Sequence, residues 1–178
     1  YNDVFCEKGY FDLHQSKKIL LTGLDYGLIP RIHTDEFENI GGAQLASAIK
    51  CASADHLMCV NESDVMKMAE ANLKAVLLPG TTFFLGKHQY APYKKLKDSG
   101  LEVAIATDYN PGSCNIQSMT FIITLSLIYM GFDINDAIFS STFMPSKILN
   151  IHDETGSIEE GKNADIIVWS LKKPIDIV

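Results

Sequence analysis

Short apolar runs that stop at polar clusters recur along this chain and dictate alternating strands and helices. Three of the clusters hold metal-binding or acid–base side chains: Arg31-Ile32-His33-Thr34-Asp35-Glu36-Phe37, Ser53-Ala54-Asp55-His56-Leu57 and Ala106-Thr107-Asp108-Tyr109-Asn110-Pro111-Gly112-Ser113. One histidine or aspartate at the end of an apolar run is commonly a turn former or a helix cap. Recurrence changes that reading, because successive strands that end in such residues can present them to one shared site.

Between the clusters the apolar spacing turns helical. A strand over residues 28–33 precedes a helix over 41–51, in which Leu45, Ala48 and Ile49 share a face. Residues 53–57 form the next strand, followed by a helix near 63–72. Residues 74–78 are β-like up to Pro79-Gly80; Pro92 opens a helix that Gly100 closes. Residues 101–107 are a buried strand and 117–130 a buried helix. At the start, residues 4–6 form a strand fragment, and Ser16 is expected to cap a helix through Leu20 that Gly23 ends. The strand ends at Glu36, His56, Gly80 and Asp108 are spaced about like the βα units of a (β/α)8 barrel, roughly 30 residues each. The fold class expected is therefore α/β, a parallel barrel, with an open doubly wound sheet as the alternative.

A barrel needs eight strands, and this chain supplies four and a fragment. The expectation is the C-terminal half of a barrel, about strands 4 to 8, over residues 1–150. In the tail, Asp133 and Thr142 are expected to cap short helices. A Gly-rich turn over 156–165 then leads to a strand over 166–169. Residues 151–178 are thus expected to be part of a small β-sandwich appendage.

Composition excludes several functions. A net charge of −7 with scattered lysines offers no basic stripe for nucleic acid. The longest apolar stretch, residues 119–130, contains Thr120, Thr124 and Ser126 and is shorter than the roughly 20 residues a bilayer needs. Cys6, Cys51, Cys59 and Cys114 form no CxxC pair, which fits reduced, structural thiols in the cytoplasm. The single arginine, Arg31, shares a strand face with His33 and is expected in a buried ion pair. Alternation turns Asp55 away from His56, so Asp55 is expected to serve stability.

These motifs in this order, with Val76-Leu77-Leu78-Pro79-Gly80, Phe83-Phe84-Leu85, Asp3-Val4-Phe5-Cys6-Glu7 and the closing run from Gly156 to Trp169, resemble the imidazolonepropionases of the amidohydrolase superfamily. The resemblance covers essentially the whole chain. It implies a metal-dependent opening of a cyclic amide, 4-imidazolone-5-propanoate plus water giving N-formimidoyl-glutamate. By position, His33 matches a metal ligand, and Asp108 matches the ligand from the last barrel strand that also accepts a proton from water. Glu36 and His56 match a catalytic pair, with Glu36 also contacting substrate, while Asn110, Gly112 and Ser113 match substrate-holding positions.

The resemblance further implies one divalent or trivalent metal ion, zinc or iron, a small-molecule substrate and a homodimer for the complete enzyme. No His-x-His pair, which the superfamily carries on its first barrel strand, occurs here. The chain is therefore expected to be the C-terminal part of the enzyme, cut at both ends and inactive alone. Two alternatives stand beside this: another cyclic-amide hydrolase or deaminase of the superfamily, or a catalytically incomplete half-barrel that binds or scaffolds.

Overall fold

The computed structural model describes residues 1–178. Five strands follow one another in sheet order as in sequence: β1 (Asn2–Cys6), β2 (Pro30–Thr34), β3 (Ser53–His56), β4 (Lys74–Leu77) and β5 (Val103–Ile105). The first four pair in parallel. An order that never reverses has no topological switch point, so the doubly wound alternative is not the one formed. The progression is that of a barrel segment. The chain divides into two compact units, Tyr1–Leu77 with Ala91–Val103, and Leu78–Tyr90 with Ala104–Val178.

In the first unit, even-numbered residues of β1 and β2 turn toward the covering helices α1 (Leu13–Asp25) and α2 (Gly42–Ile49). Ile32, Ala54 and Ala75 stand level across β2, β3 and β4, all fully buried. With Leu20 and with Met68 of α3 (Glu62–Glu70) they form a core in which each large side chain contributes about 1.5–3 kcal/mol. Small residues set the helix-to-sheet distance. A Cβ on Gly42 would lie 1.9 Å from Thr34 Oγ1, and one on Gly23 would lie 2.1 Å from Asn2 Nδ2.

Gly23 therefore does not end α1; it sits inside the helix because only hydrogen fits against β1. Nor does Ser16 cap α1. The cap is Asp12, whose carboxylate accepts from Gln15 N while the Gln15 side chain reaches back to Asp12 N. That reciprocal capping box satisfies two of the free N–H groups at the helix start. Ser16 lies in the first turn, fully buried.

The second unit holds α4 (Pro79–Phe84), which the sequence reading passed over as a strand end, and α6 (Met119–Leu125). Between them in sequence, α5 (Tyr93–Asp98) belongs to the first unit. The expected helix over 117–130 begins at the Ser118 cap and changes to a π-helical turn at Ser126–Met130. Asp133 caps α7 (Ile134–Ser141) as expected, by accepting from Asp136 N at 2.8 Å. Thr142 precedes α8 (Phe143–Ile148) but does not cap it with its side chain, because its hydroxyl donates back to Ile138 O at 2.7 Å.

Residues 166–169 form no strand. A strand needs a neighbour for its backbone, and here Ile167 and Val168 stand 72% and 92% exposed. No helix is long and apolar enough to cross a membrane.

Candidate active site

Parallel register puts Asp3 and Phe5 of β1, Arg31 and His33 of β2, and Asp55 of β3 on the sheet face opposite α1 and α2. Arg31 donates to Asp55 Oδ2 at 2.8 Å and to Ser53 Oγ at 3.0 Å, the expected ion pair. His33 Nδ1 lies 2.9 Å from Asp3 Oδ2 and 3.9 Å from Asp55 Oδ2. Asp55 and His56 thus both lie beside His33, which corrects the expectation that Asp55 turns to the face opposite His56, while its ion pair with Arg31 fits a part in stability. Alternation was read against His56, but His56 does not follow the alternation.

The reason is backbone conformation. His56 and Leu57 both have positive φ, 80° and 64°, so the chain turns over at the end of β3. This left-handed geometry is costly for residues other than glycine and collects at functional sites. It sets the His56 ring 5.3 Å from the His33 ring and 6.4 Å from the Phe5 ring. His56 Nε2 lies 3.5 Å from Glu36 Oε2, with both side chains buried. Burial, aided by His33 and opposed by Asp3, pushes the His56 pKa down to about 3, so its imidazole is neutral at ordinary pH. Its buried Nδ1 has no hydrogen-bond partner within the protein.

Glu36 is held from β1. Glu7 follows directly on β1, is 1% exposed, and accepts the backbone N–H groups of Glu36, Phe37 and Glu38 at 2.9, 3.1 and 3.1 Å. It accepts Lys8 N as well, at 3.0 Å. Sequence reasoning missed this residue. Beyond its place at the end of the Asp3–Glu7 motif, its signal was a glutamate immediately after the first strand, in the position that Asp35 takes after the second. Asp35, also fully buried and at φ 56°, has its pKa raised to about 7 by burial and by the nearby Asp64 charge.

In the second unit, Asp108 takes a left-handed φ of 53° and accepts the Thr81 hydroxyl of α4. Thr81, fully buried, was another residue the sequence reading passed over. Asn110 organises the following turn: its Oδ1 accepts Gly112 N and Ser113 N, both at 2.8 Å, and its Nδ2 donates to Asp108 O at 2.7 Å. The amide of Asn110 is thereby committed to the loop. A Cβ on Gly80 would lie 2.8 Å from Ile122, 3.1 Å from Thr107 O and 3.2 Å from Cys114 Sγ, so glycine is needed for α4 to start there. His33, Glu36 and His56 are thus together in the first unit, and Asp108, Asn110, Gly112 and Ser113 are together in the second.

Each unit holds a side chain whose own chemistry suits a metal ion. His33 is a half-exposed imidazole with a carboxylate on one ring nitrogen, the support that metal-binding histidines use. Asp108 is a carboxylate already oriented by a hydroxyl. Asp3, His33 and Asp55 also bring ligand atoms within 4.8 Å of one another, but Arg31 on Asp55 makes that group an ion-pair network. The cysteines are poor ligands. All four are free thiols, and burial raises the pKa of Cys6 and pushes that of Cys51 up to about 12.

A model of the amidohydrolase family matches residues 29–178. The chain is 41% identical over 178 residues to an imidazolonepropionase of Geobacillus sp. (strain WCH70), covering all of this chain and 42% of that protein. It is 42% identical over 171 residues to an imidazolonepropionase of Brevibacillus brevis, covering 96% of this chain and 40% of the relative. This chain therefore spans about two-fifths of the length of the curated relatives it matches. Among solved structures, a zinc-bound adenosine deaminase from Xanthomonas campestris aligns with a TM-score of 0.75 at 19% identity, over 92% of this chain and 42% of that one. A triazine hydrolase variant aligns with a TM-score of 0.74 at 15% identity, over 98% of this chain and 45% of that one. At those identities the likeness concerns the fold alone, a parallel (β/α)8 barrel of which these five strands are a segment.

Proposed function

This chain belongs to the amidohydrolase family, and on that premise we propose that it carries the acid–base part of a site that hydrolyses the cyclic amide 4-imidazolone-5-propanoate to N-formimidoyl-glutamate. The observation that carries the reading is the buried Glu36–His56 pair, 3.5 Å apart beside His33, in a chain about 40% identical to imidazolonepropionases.

His33 and Asp108 would hold the metal, zinc or iron, both of which accept nitrogen and oxygen ligands. When bound, the ion supplies polarisation of the amide carbonyl and a lowered pKa for water, from about 15.7 toward 7. The remaining work falls to side chains. Glu36 takes a proton from the attacking water and returns it to the departing ring nitrogen. His56, kept neutral by burial, has one N–H to donate to the oxygen that gains negative charge, and as a neutral donor it does not protonate the leaving group. Asp108, by the same resemblance, accepts the second proton of the attacking water as the new carboxylic acid becomes a carboxylate. Ser113 and the backbone at Gly112 offer contacts to substrate, while Asn110 keeps their loop in shape. The proposal extends to a cytoplasmic setting and a homodimer of the complete enzyme, on the strength of the resemblance.

The test is co-expression of this chain with the N-terminal portion of the Geobacillus relative, followed by assay of N-formimidoyl-glutamate. Release that needs both parts and collapses with Glu36→Gln is expected. Release of ammonia from a purine or triazine, with no turnover of the imidazolone, would overturn the substrate.

A further inference from the structure

Metal-ligating histidines are chemically ambiguous, because a neutral imidazole carries its proton on either nitrogen and offers a lone pair only on the other. Which nitrogen of His33 carries the proton is argued from the carboxylates around Nδ1. Two carboxylates come near it. Asp55 is 3.9 Å away, outside hydrogen-bond reach, and its Oδ2 already receives the Arg31 guanidinium at 2.8 Å. Asp3 is closer, with Oδ2 at 2.9 Å and Oδ1 at 3.1 Å from Nδ1. Arg31 thus removes one competitor and leaves Asp3 as the acceptor.

Asp3 is itself held. Its Oδ1 accepts the N–H of Val4 at 2.8 Å, which fixes the carboxylate against its own strand. The strand is in turn fixed by register, with Asp3 level with Arg31 and Phe5 level with His33, so the carboxylate rises one step along the sheet to meet the ring. Asp3 remains 38% exposed at its side chain.

We propose that Asp3 is a positioning residue: it accepts the Nδ1–H of His33, holds the imidazole in that tautomer, and so leaves Nε2 as the metal-binding atom. The first part stands on the geometry alone. The second rests on the reading of His33 as a metal ligand under the proposed function. Carboxylate support of this kind also raises the basicity of the ligating nitrogen, and its loss usually costs 10–100-fold in metal affinity.

The experiment separates the two parts. The chain labelled with 15N at histidine is examined by two-bond 15N–1H correlation at a pH where the imidazole is neutral, with the His33 signals assigned from His33→Gln. A protonated Nδ1 and an unprotonated Nε2 are expected. Asp3→Ala should move the ring toward the Nε2–H form that an isolated side chain favours, and Asp3→Glu should partly restore the original signals. An Nε2–H tautomer in the wild type, or a spectrum indifferent to Asp3→Ala in a folded chain, would overturn the proposal. Zinc and cobalt titrations of the complemented enzyme form the second arm, where Asp3→Ala should weaken binding 10–100-fold. A tautomer that responds while metal affinity does not would support the Asp3 contact and overturn the reading of His33 as a ligand.

Discussion

Replacing Glu7 with glutamine tests how firmly the loop carrying Glu36 is held. The carboxylate is 1% exposed and receives four backbone N–H groups, two on each oxygen: Lys8 and Glu38 on Oε1, Glu36 and Phe37 on Oε2. Glutamine keeps only one oxygen. Whichever way its amide turns, two of the four N–H donors face an NH2 group. Hydrogen bonds to a charged acceptor contribute about 1.5–3 kcal/mol each. Two losses give roughly 3–6 kcal/mol, offset in part because a neutral amide costs less to bury than a carboxylate. A net destabilisation of about 3 kcal/mol is expected, which for a chain this size is a fall of roughly 6–12 °C in Tm. Thermal unfolding measures the total, and hydrogen exchange at Glu36, Phe37 and Glu38 measures the place. Exchange at these three amides should accelerate more than at the β2 and β3 amides. A shift below about 2 °C, or acceleration spread evenly over the sheet, would refute the account.

The barrel rhythm was legible because parallel strands buried under helices must be apolar runs, and runs such as residues 28–33 and 53–57 end where the observed strands end, within a residue. What misled the reading was local chemistry with two uses. Ser16 and Asp12 are both good caps, and the choice fell to Asp12 because Gln15 lies three residues on to complete the box. Gly23 looked like a terminator, yet its reason is Asn2, twenty-one residues back and invisible to any window along the chain. Residues 166–169 have strand composition, but composition does not supply a partner strand. At the site, residue types were readable and directions were not. Period-two alternation holds only while φ stays negative, and the left-handed turns at Asp35, His56 and Asp108 lie where the chemistry is concentrated. Glu7 and Thr81 escaped notice because each acts on groups distant in sequence, the amides of 36–38 and the carboxylate of Asp108.

Three further outcomes follow from the same geometry. Glu36→Gln in the complemented enzyme should retain metal by elemental analysis while turnover falls about 10²–10⁴-fold, and wild-type-like turnover would remove Glu36 from the proton path. Gly42→Ala should cost about 1–3 kcal/mol, since its Cβ would meet Thr34 Oγ1 at 1.9 Å and Cβ at 2.7 Å; an unchanged urea midpoint would mean that α2 can slide on β2. The last concerns pH. Asp35 is raised from 3.8 to about 7, so the folded chain takes up a proton there; that stability is complete below about pH 4 and lost as pH rises through 7. His56 is lowered from 6.5 to about 3, so its contribution has the opposite sign, complete above about pH 6.5 and lost as pH falls toward 3. Between pH 4 and 6.5 the two slopes oppose each other at about 1.4 kcal/mol per pH unit apiece. Asp35→Asn keeps the left-handed backbone accessible, because asparagine tolerates it, and leaves the His56 slope uncompensated. Relative to wild type, that variant should lose on the order of 3 kcal/mol as pH falls from 6.5 to 4, whereas His56→Gln should gain over the same interval. Parallel stability curves for wild type and both variants would show that neither group titrates as its burial requires.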